Sequence, residues 1–304
     1  MINRHIYKNL VWIDLESPTH EEIEEIAGQY KIGHLVTQEL ARPSFKPKVE
    51  TYPDYIYLIL HFPVIRHSHS LDTDQEIDFI LGKDFLITAH YDTVDPLHKF
   101  SRIFEVNSIL DKSNIGDHAG FIFFYMMREL YTSLANELEF VFETLKDIEA
   151  RIFRGKEKEM VFALSNVSRI LLDFRQATIH HKDILDSFDE PARALLGNGF
   201  GPYVRATRDE YFKVTNTIRS HGELLSELRE TKNSLLNTKQ NEIMRHLTMM
   251  AFVTFPLSLV VALLAIDTEY NPVLGLPQDF WLIAGIIVFG MASIIVYFKW
   301  KKWL

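Results

Sequence analysis

The sequence predicts an α+β cytoplasmic domain followed by a long stalk helix and two transmembrane helices. Three observations lead there. Residues 203–266 contain no proline before Pro256, and their polar part places Leu224, Leu225, Leu228, Leu235, Leu236, Ile243, Met244 and Leu247 at helical spacing. The last stretch of that run, residues 247–266, is 20 residues without a charge, enough to cross the hydrocarbon core. A second uncharged stretch of 19 residues, 280–298, follows a short polar loop. As one helix, residues 203–266 would run roughly 96 Å, a soluble stalk feeding directly into a span.

Composition sets the outer bounds. The chain has 304 residues and a formal net charge of -9, with no cysteine. Without cysteine there are no disulfides, thiolate metal sites or cysteine nucleophiles. An acidic balance argues against general nucleic-acid binding, which needs a basic surface. The first 18 residues hold no apolar stretch long enough for a signal peptide, so insertion is expected to rely on the C-terminal spans.

Residues 1–115 read as the cytoplasmic α/β domain. Residues 10–15 are a strand candidate. Thr19 and Glu22 have capping-box spacing, and Glu21, Glu22, Glu24 and Glu25 fall in the early turns of the helix that would follow. Residues 55–63 read as a buried strand. Residues 76–81 and 85–90 read as a hairpin turning at Gly82, Lys83 and Asp84.

Residues 116–202 read as an antiparallel helical arm. Apolar residues keep helical spacing over 121–153 and again over 160–188. Pro191 and the glycine-rich run 197–202 are expected to break the chain before the stalk. Residues 203–266 are then the stalk continuing into the first transmembrane helix, and 267–279 the extracytoplasmic loop. Residues 280–304 are the second transmembrane helix and a basic tail.

Charge asymmetry orients the spans. Lys232, Lys239 and Arg245 precede the first, and Lys299, Lys301 and Lys302 close the second. The loop between them has no basic residue and three acids, Asp267, Glu269 and Asp279. Basic residues mark the cytoplasmic flank, so both termini are expected in the cytoplasm.

Two helices do not enclose a pore, so they either anchor the domain or assemble with other copies. In the first span Asn241, Met244, Leu247 (with Thr248), Ala251, Phe255, Ser258 and Ala262 recur every three or four residues and share one face. Such a mixed face suits helix packing or a narrow symmetric pore. The opposite positions, among them Leu257, Val260, Val261 and Leu264, suit lipid. The plainer alternative is that Ser258 and Thr254 only bond to their own backbone carbonyls.

Several stretches together resemble the CorA family of divalent-cation channels. They are Asn241-Glu242-Ile243-Met244-Arg245-His246-Leu247-Thr248, Phe255-Pro256-Leu257, Glu269-Tyr270-Asn271-Pro272 and the terminal Tyr297-Phe298-Lys299-Trp300-Lys301-Lys302-Trp303-Leu304. Further upstream, Trp12-Ile13-Asp14-Leu15, Arg42-Pro43, Tyr55-Ile56-Tyr57 and Pro202-Tyr203-Val204-Arg205 agree with the family in the same order. The resemblance implies a funnel-shaped homopentamer, with the first span of each copy lining the pore. It also implies an inner-membrane protein whose cargo is a divalent cation, Mg²⁺ or the related Zn²⁺, Co²⁺ or Ni²⁺. No resident cofactor is expected, and no enzymatic motif stands out. The partners expected are further copies of the chain, membrane lipid and the cation, with no nucleic acid.

The resemblance breaks at one place. Where the family carries Gly-Met-Asn at the outer end of the first span, this chain has Ala265-Ile266-Asp267. A ring of Asp267 carboxylates would concentrate cations at the mouth and hold them directly, giving Asp267 the metal role, with Glu269 and Asp279 as outer loop acids. The plainer alternative is a solvated loop aspartate capping a helix end. Ser258 would offer hydroxyls further in, Leu247 and Phe255 apolar constrictions, and Asn241 a polar ring at the cytoplasmic end. At the stalk start, Ala206 stands where some magnesium-gated members place an aspartate, which puts that sensing site in doubt. Two other functions remain open: a proton-linked zinc transporter of the same fold, and a membrane scaffold or regulator that has lost conduction.

The histidines carry less. His61, His67, His69, His90 and His98 invite a metal reading, but no carboxylate or further ligand is fixed by the sequence, and they are expected at the surface. His180 and His181, adjacent in a helix, are expected there too. Glu137, Glu139, Glu143, Asp147 and Glu149 read as a solvated helix face.

Overall fold

The structure, a computed structural model, describes residues 1–44, 46–63, 75–91, 94–109, 116–264, 266 and 278–301. It divides into two compact units, Met1–Arg229 and Glu230–Leu304.

The first unit is built on a six-stranded sheet in the order β1-β2-β6-β5-β4-β3. The strands are β1 (Ile2–Tyr7), β2 (Leu10–Glu16), β3 (Lys48–Thr51), β4 (Tyr55–Phe62), β5 (Gln75–Gly82) and β6 (Phe85–His90). All neighbours pair antiparallel except β2 and β6, which run parallel. Strands β4 and β5 are buried on both faces and read as near-continuous apolar runs, as strands covered on both sides do. The hairpin expected at residues 82–84 joins β5 to β6. An added Cβ at Gly82 would lie 2.3 Å from the Phe85 ring, so a larger residue there would displace that ring.

One face of the sheet packs on α1 (His20–Tyr30) and α2 (His34–Glu39). Ile13, Leu15, Tyr57, Ile59, Ile80 and Ile87 meet Ile23, Ile26, Val36 and Leu40 in this core. The capping box at Thr19 is present: the Glu22 N–H donates to Thr19 Oγ1 at 3.2 Å and the Thr19 N–H donates to the Glu22 carboxylate at 2.8 Å.

The other face packs on α3 (Asp95–Ile109), α4 (Gly120–Phe153) and α6 (His181–Leu196). Trp12 meets Phe100 and Phe104 of α3, and Phe79 meets Phe123 of α4 edge-on. Helix α5 (Met160–Thr178) returns beside α4, and a single 3₁₀ turn (Asn198–Phe200) leads into α7 (Gly201–Leu264).

The arm differs from expectation in two ways. Residues 160–188 are not one helix: α5 stops at Thr178 and α6 starts at His181. Pro191 is no breaker either, since it lies inside α6. A proline there forfeits one backbone hydrogen bond. Burial of Ile184, Leu185, Phe188 and Ala192 outweighs that loss, at roughly 25 cal/mol per Å² of apolar surface removed from water. The chain turns at Gly197, whose φ of 93° suits glycine.

The second unit holds the last part of α7 and α8 (Asp279–Trp300). Both are long and apolar enough to cross a membrane, with mean hydropathy 1.9 and 2.3 in their most apolar windows.

Candidate functional site

Within the second unit the last part of α7 has two unlike faces. Met249 is buried, and Val253 and Leu257 are half-buried. Leu257 meets Gly290 of α8: a Cβ built on that glycine would come 3.5 Å from Leu257 Cδ2. Leu257 was expected to face lipid, and the structure instead turns it to α8, where it packs beside Gly290.

At about 100° per residue, Met249 and Val253 lie within roughly 80° of Leu257 around the helix. Met244, Ala251, Phe255, Ser258 and Ala262 gather between roughly 100° and 160° on the far side, with Asn241 just beyond and Leu247 at the near edge, roughly 80° from Leu257. This second face is the mixed one picked out from the sequence. Met244, Leu247 and Phe255 are 55%, 53% and 73% exposed in the single chain, and Asn241, Ser258 and Ala262 are exposed with them. Ala251 is half-buried.

Two hydroxyls on this stretch are already engaged. Thr254 donates to the Met250 carbonyl and Thr248 to the Met244 carbonyl, each at 2.8 Å. For Thr254 this is the back-bonded alternative weighed above. Pro256 lies inside α7 and has no N–H, so the Phe252 carbonyl has no helical donor one turn on.

Just past the C-terminal end of α7, the Ile266 N–H reaches the Leu263 carbonyl at 3.4 Å, a tightened last turn. Asp267 and Glu269 lie outside the described residues. Asp279 is the first residue of α8.

A second polar cluster, in the first unit, was not foreseen. Asp78 is fully buried on β5, two residues from buried Glu76. The Tyr91 hydroxyl lies 3.2 Å from the Leu40 carbonyl and 3.5 Å from Asp78 Oδ2. Glu76 Oε2 accepts the Ser44 N–H at 2.6 Å and lies 3.3 Å from His61 Nε2. Burial, and then the neighbouring Glu76, hold the Asp78 carboxyl well above the usual carboxylate range.

The histidines expected at the surface divide. His98 is exposed, and His67 and His69 lie outside the described residues. His61 is only partly exposed and faces Glu76, while His90 is buried 3.3 Å from Asp14. His181 is fully buried, with Nδ1 2.9 Å from the Tyr131 hydroxyl and Nε2 2.7 Å from the His61 carbonyl. Burial pushes its pKa down to about 4. Sequence gave no hint of this, because its partners stand 50 and 120 residues away. Among the described residues, no three or more acids and histidines form a metal-binding group.

Known proteins resemble this chain along nearly its whole length. The family described as CorA-like Mg2+ transporter protein matches residues 7–301. The cobalt/magnesium transport protein CorA of Thermotoga maritima is 24% identical over 302 residues, covering 96% of this chain and 83% of that protein. The protein of the same description from Methanocaldococcus jannaschii is 21% identical over 305 residues, covering 97% and 92%. Among solved structures, the complete CorA magnesium transporter of Methanocaldococcus jannaschii aligns with a TM-score of 0.81 at 18% identity, covering 97% of this chain and 92% of that one. The full-length CmaX protein aligns at 0.72 and 13% identity, covering 97% and 89%.

Proposed function

This chain belongs to the CorA-like Mg2+ transporter protein family, and on that premise we propose that it carries divalent cations across the inner membrane as a homopentamer. Each copy contributes the far face of α7 to a central path, with both termini in the cytoplasm. The observation that carries this reading is the pair of opposed faces on the first span. One is occupied by α8 at Gly290 and Leu257. The other, from Asn241 to Ala262, is exposed in the single chain and mixes polar, small and apolar residues. Repeated around a symmetry axis, it forms a polar ring at Asn241, apolar constrictions at Met244, Leu247 and Phe255, small residues at Ala251 and Ala262, and hydroxyls at Ser258.

Asp267 replaces the asparagine that ends the family's Gly-Met-Asn triplet. Mg²⁺ gives up its water reluctantly, so a neutral asparagine ring suits recognition through the hydration shell. A carboxylate ring attracts cations more strongly and accepts ions that bind oxygen directly, so selectivity is broader than for magnesium alone. Glu269 and Asp279 add negative potential around the mouth. A membrane potential of 100 mV, negative inside, favours entry of a 2+ ion by about 4.6 kcal/mol.

The test is flux into proteoliposomes with Mg²⁺, Zn²⁺, Ni²⁺, Co²⁺ and Na⁺, with and without a proton gradient. Divalent flux without the gradient, altered in Asp267→Ala, supports the channel. Unchanged flux and selectivity in Asp267→Ala would sink the Asp267 ring. Flux only with the gradient favours a proton-linked zinc transporter. No flux from correctly inserted oligomer favours a scaffold or regulator.

A further inference from the structure

A groove of about 710 Å³ runs between α5 and α7 in the first unit. Its floor includes Leu171, Ile218 and Leu225, and its edge carries three cations, Arg175, Arg219 and Arg229, against one acid, Glu223. Gly222 also lines it, and a Cβ added there would meet nothing within 4 Å. Glycine inside a helix costs about 1 kcal/mol against alanine, and the open space beside this one leaves room for an occupant close to the backbone. Leu172 and Ile179, also in the lining, stay 51% and 52% exposed.

The occupant is indicated by charge. Glu227 is exposed on α7 two residues before Arg229, hence about 200° around the helix and roughly 3 Å along it. Residues two apart on a helix do not face each other. Among the described residues neither side chain is in an ion pair. In a closed ring the contact is heterologous: one patch meets a different patch of the next copy, at the same height along the axis. Opposite flanks of one axial helix carrying opposite charge at one level are what such a contact requires.

We propose that the α5–α7 groove is the socket for the acidic flank of α7 from a neighbouring copy, with Arg229 meeting Glu227 of the partner subunit and Gly222 leaving room for the incoming helix. This rests on the oligomeric reading above. It adds which surfaces meet and which residue each copy contributes to the other.

The chain has no cysteine, so disulfide trapping in membranes starts from a silent background. Glu227→Cys/Arg229→Cys cannot close a bridge within one helix, because the two Cβ vectors point apart. Oxidation is expected to give a ladder of linked copies ending at a closed ring, while each single variant stays at monomer mass. A double variant that stays monomeric, while an amine-reactive cross-linker still traps a ring, overturns the socket and leaves the oligomer standing. If neither reagent traps a ring, the oligomeric reading falls and the socket with it. A second variant guards against misfolding. Gly222→Trp meets open space in its own chain, so helix content is expected to hold, while the ring fraction falls about tenfold or more from overpacking the contact. Undiminished assembly of Gly222→Trp would show that no neighbour fills the groove, and would point instead to a soluble anionic amphiphile.

Discussion

The imidazole of His181 bridges two elements: Nδ1 lies 2.9 Å from the Tyr131 hydroxyl of α4, and Nε2 lies 2.7 Å from the His61 carbonyl of β4. A carbonyl only accepts, so Nε2 carries the proton and donates; burial keeps the ring from taking a second proton, which leaves Nδ1 to accept from Tyr131. The ring is held neutral by its burial.

That neutrality sets a pH dependence. The pKa of His181 falls from 6.5 to about 4 on folding. Between those values the unfolded chain binds more protons, so stability is full above the unfolded pKa and declines as pH drops towards 4. The loss reaches about 3 kcal/mol for this one group. His181→Phe is expected to remove that component and to cost about 1–3 kcal/mol at pH 7, by leaving the Tyr131 hydroxyl and His61 carbonyl without a partner. Thermal unfolding of the detergent-solubilised chain at pH 7 and pH 4.5 measures both.

Asp78 acts in the opposite sense. Its folded pKa lies well above the ordinary 3.8, so the native state holds a proton that the unfolded chain releases. Its contribution is most favourable at low pH and is lost as pH rises above about 4 towards the folded value. Asp78→Asn keeps the shape without the charge. A higher unfolding midpoint at pH 7, with a flatter pH profile, is the expected result.

The contact between the spans is a third point. Gly290→Ala places its Cβ at an ordinary 3.5 Å from Leu257 Cδ2 and is expected to be near neutral. Gly290→Leu would push α8 from α7, at a cost of about 1–3 kcal/mol in helix packing. Comparing the detergent resistance of the two variants tests this, with equal behaviour counting against the close approach.

Phe255 is the bulkiest apolar residue on the proposed pore face and is 73% exposed in the single chain. If it narrows the path, Phe255→Ala should raise divalent leak in proteoliposomes at least several-fold, by removing a dewetting barrier. Unchanged leak would place the constriction elsewhere.

Much of this architecture was legible because the physics behind it is local. Lipid demands long uncharged helices, so residues 247–264 and α8 stand out. Thr19 and Glu22 cap α1 through bonds three residues apart, and β4 and β5 are apolar enough to read as buried. What escaped depends on distant partners. The strand β1 has a polar, half-exposed sequence, INRHIY, and is a strand because β2 lies beside it. The break between Thr178 and His181 carries neither proline nor glycine. The burial of His181 and Asp78 follows from tertiary neighbours alone. On the proposed path, the repeat from Asn241 to Ala262 identified the face, while the face that meets α8 is set by partners on a helix far along the chain, among them Gly290.

The parallel pairing of β2 with β6 bears on how the chain is made. Trp12 Nε1 donates to Thr88 Oγ1, its partner 76 residues later. The β1–β2 hairpin therefore leaves the ribosome long before the strand it must lie against. It waits as a two-stranded ribbon, which is marginal in water on its own. The first uncharged stretch emerges later still, after every strand of the sheet. The order of synthesis thus lets the water-soluble body close before the translocation machinery meets a segment to insert, and a delay in pairing β6 would expose sheet edges when the hydrophobic helices begin to emerge.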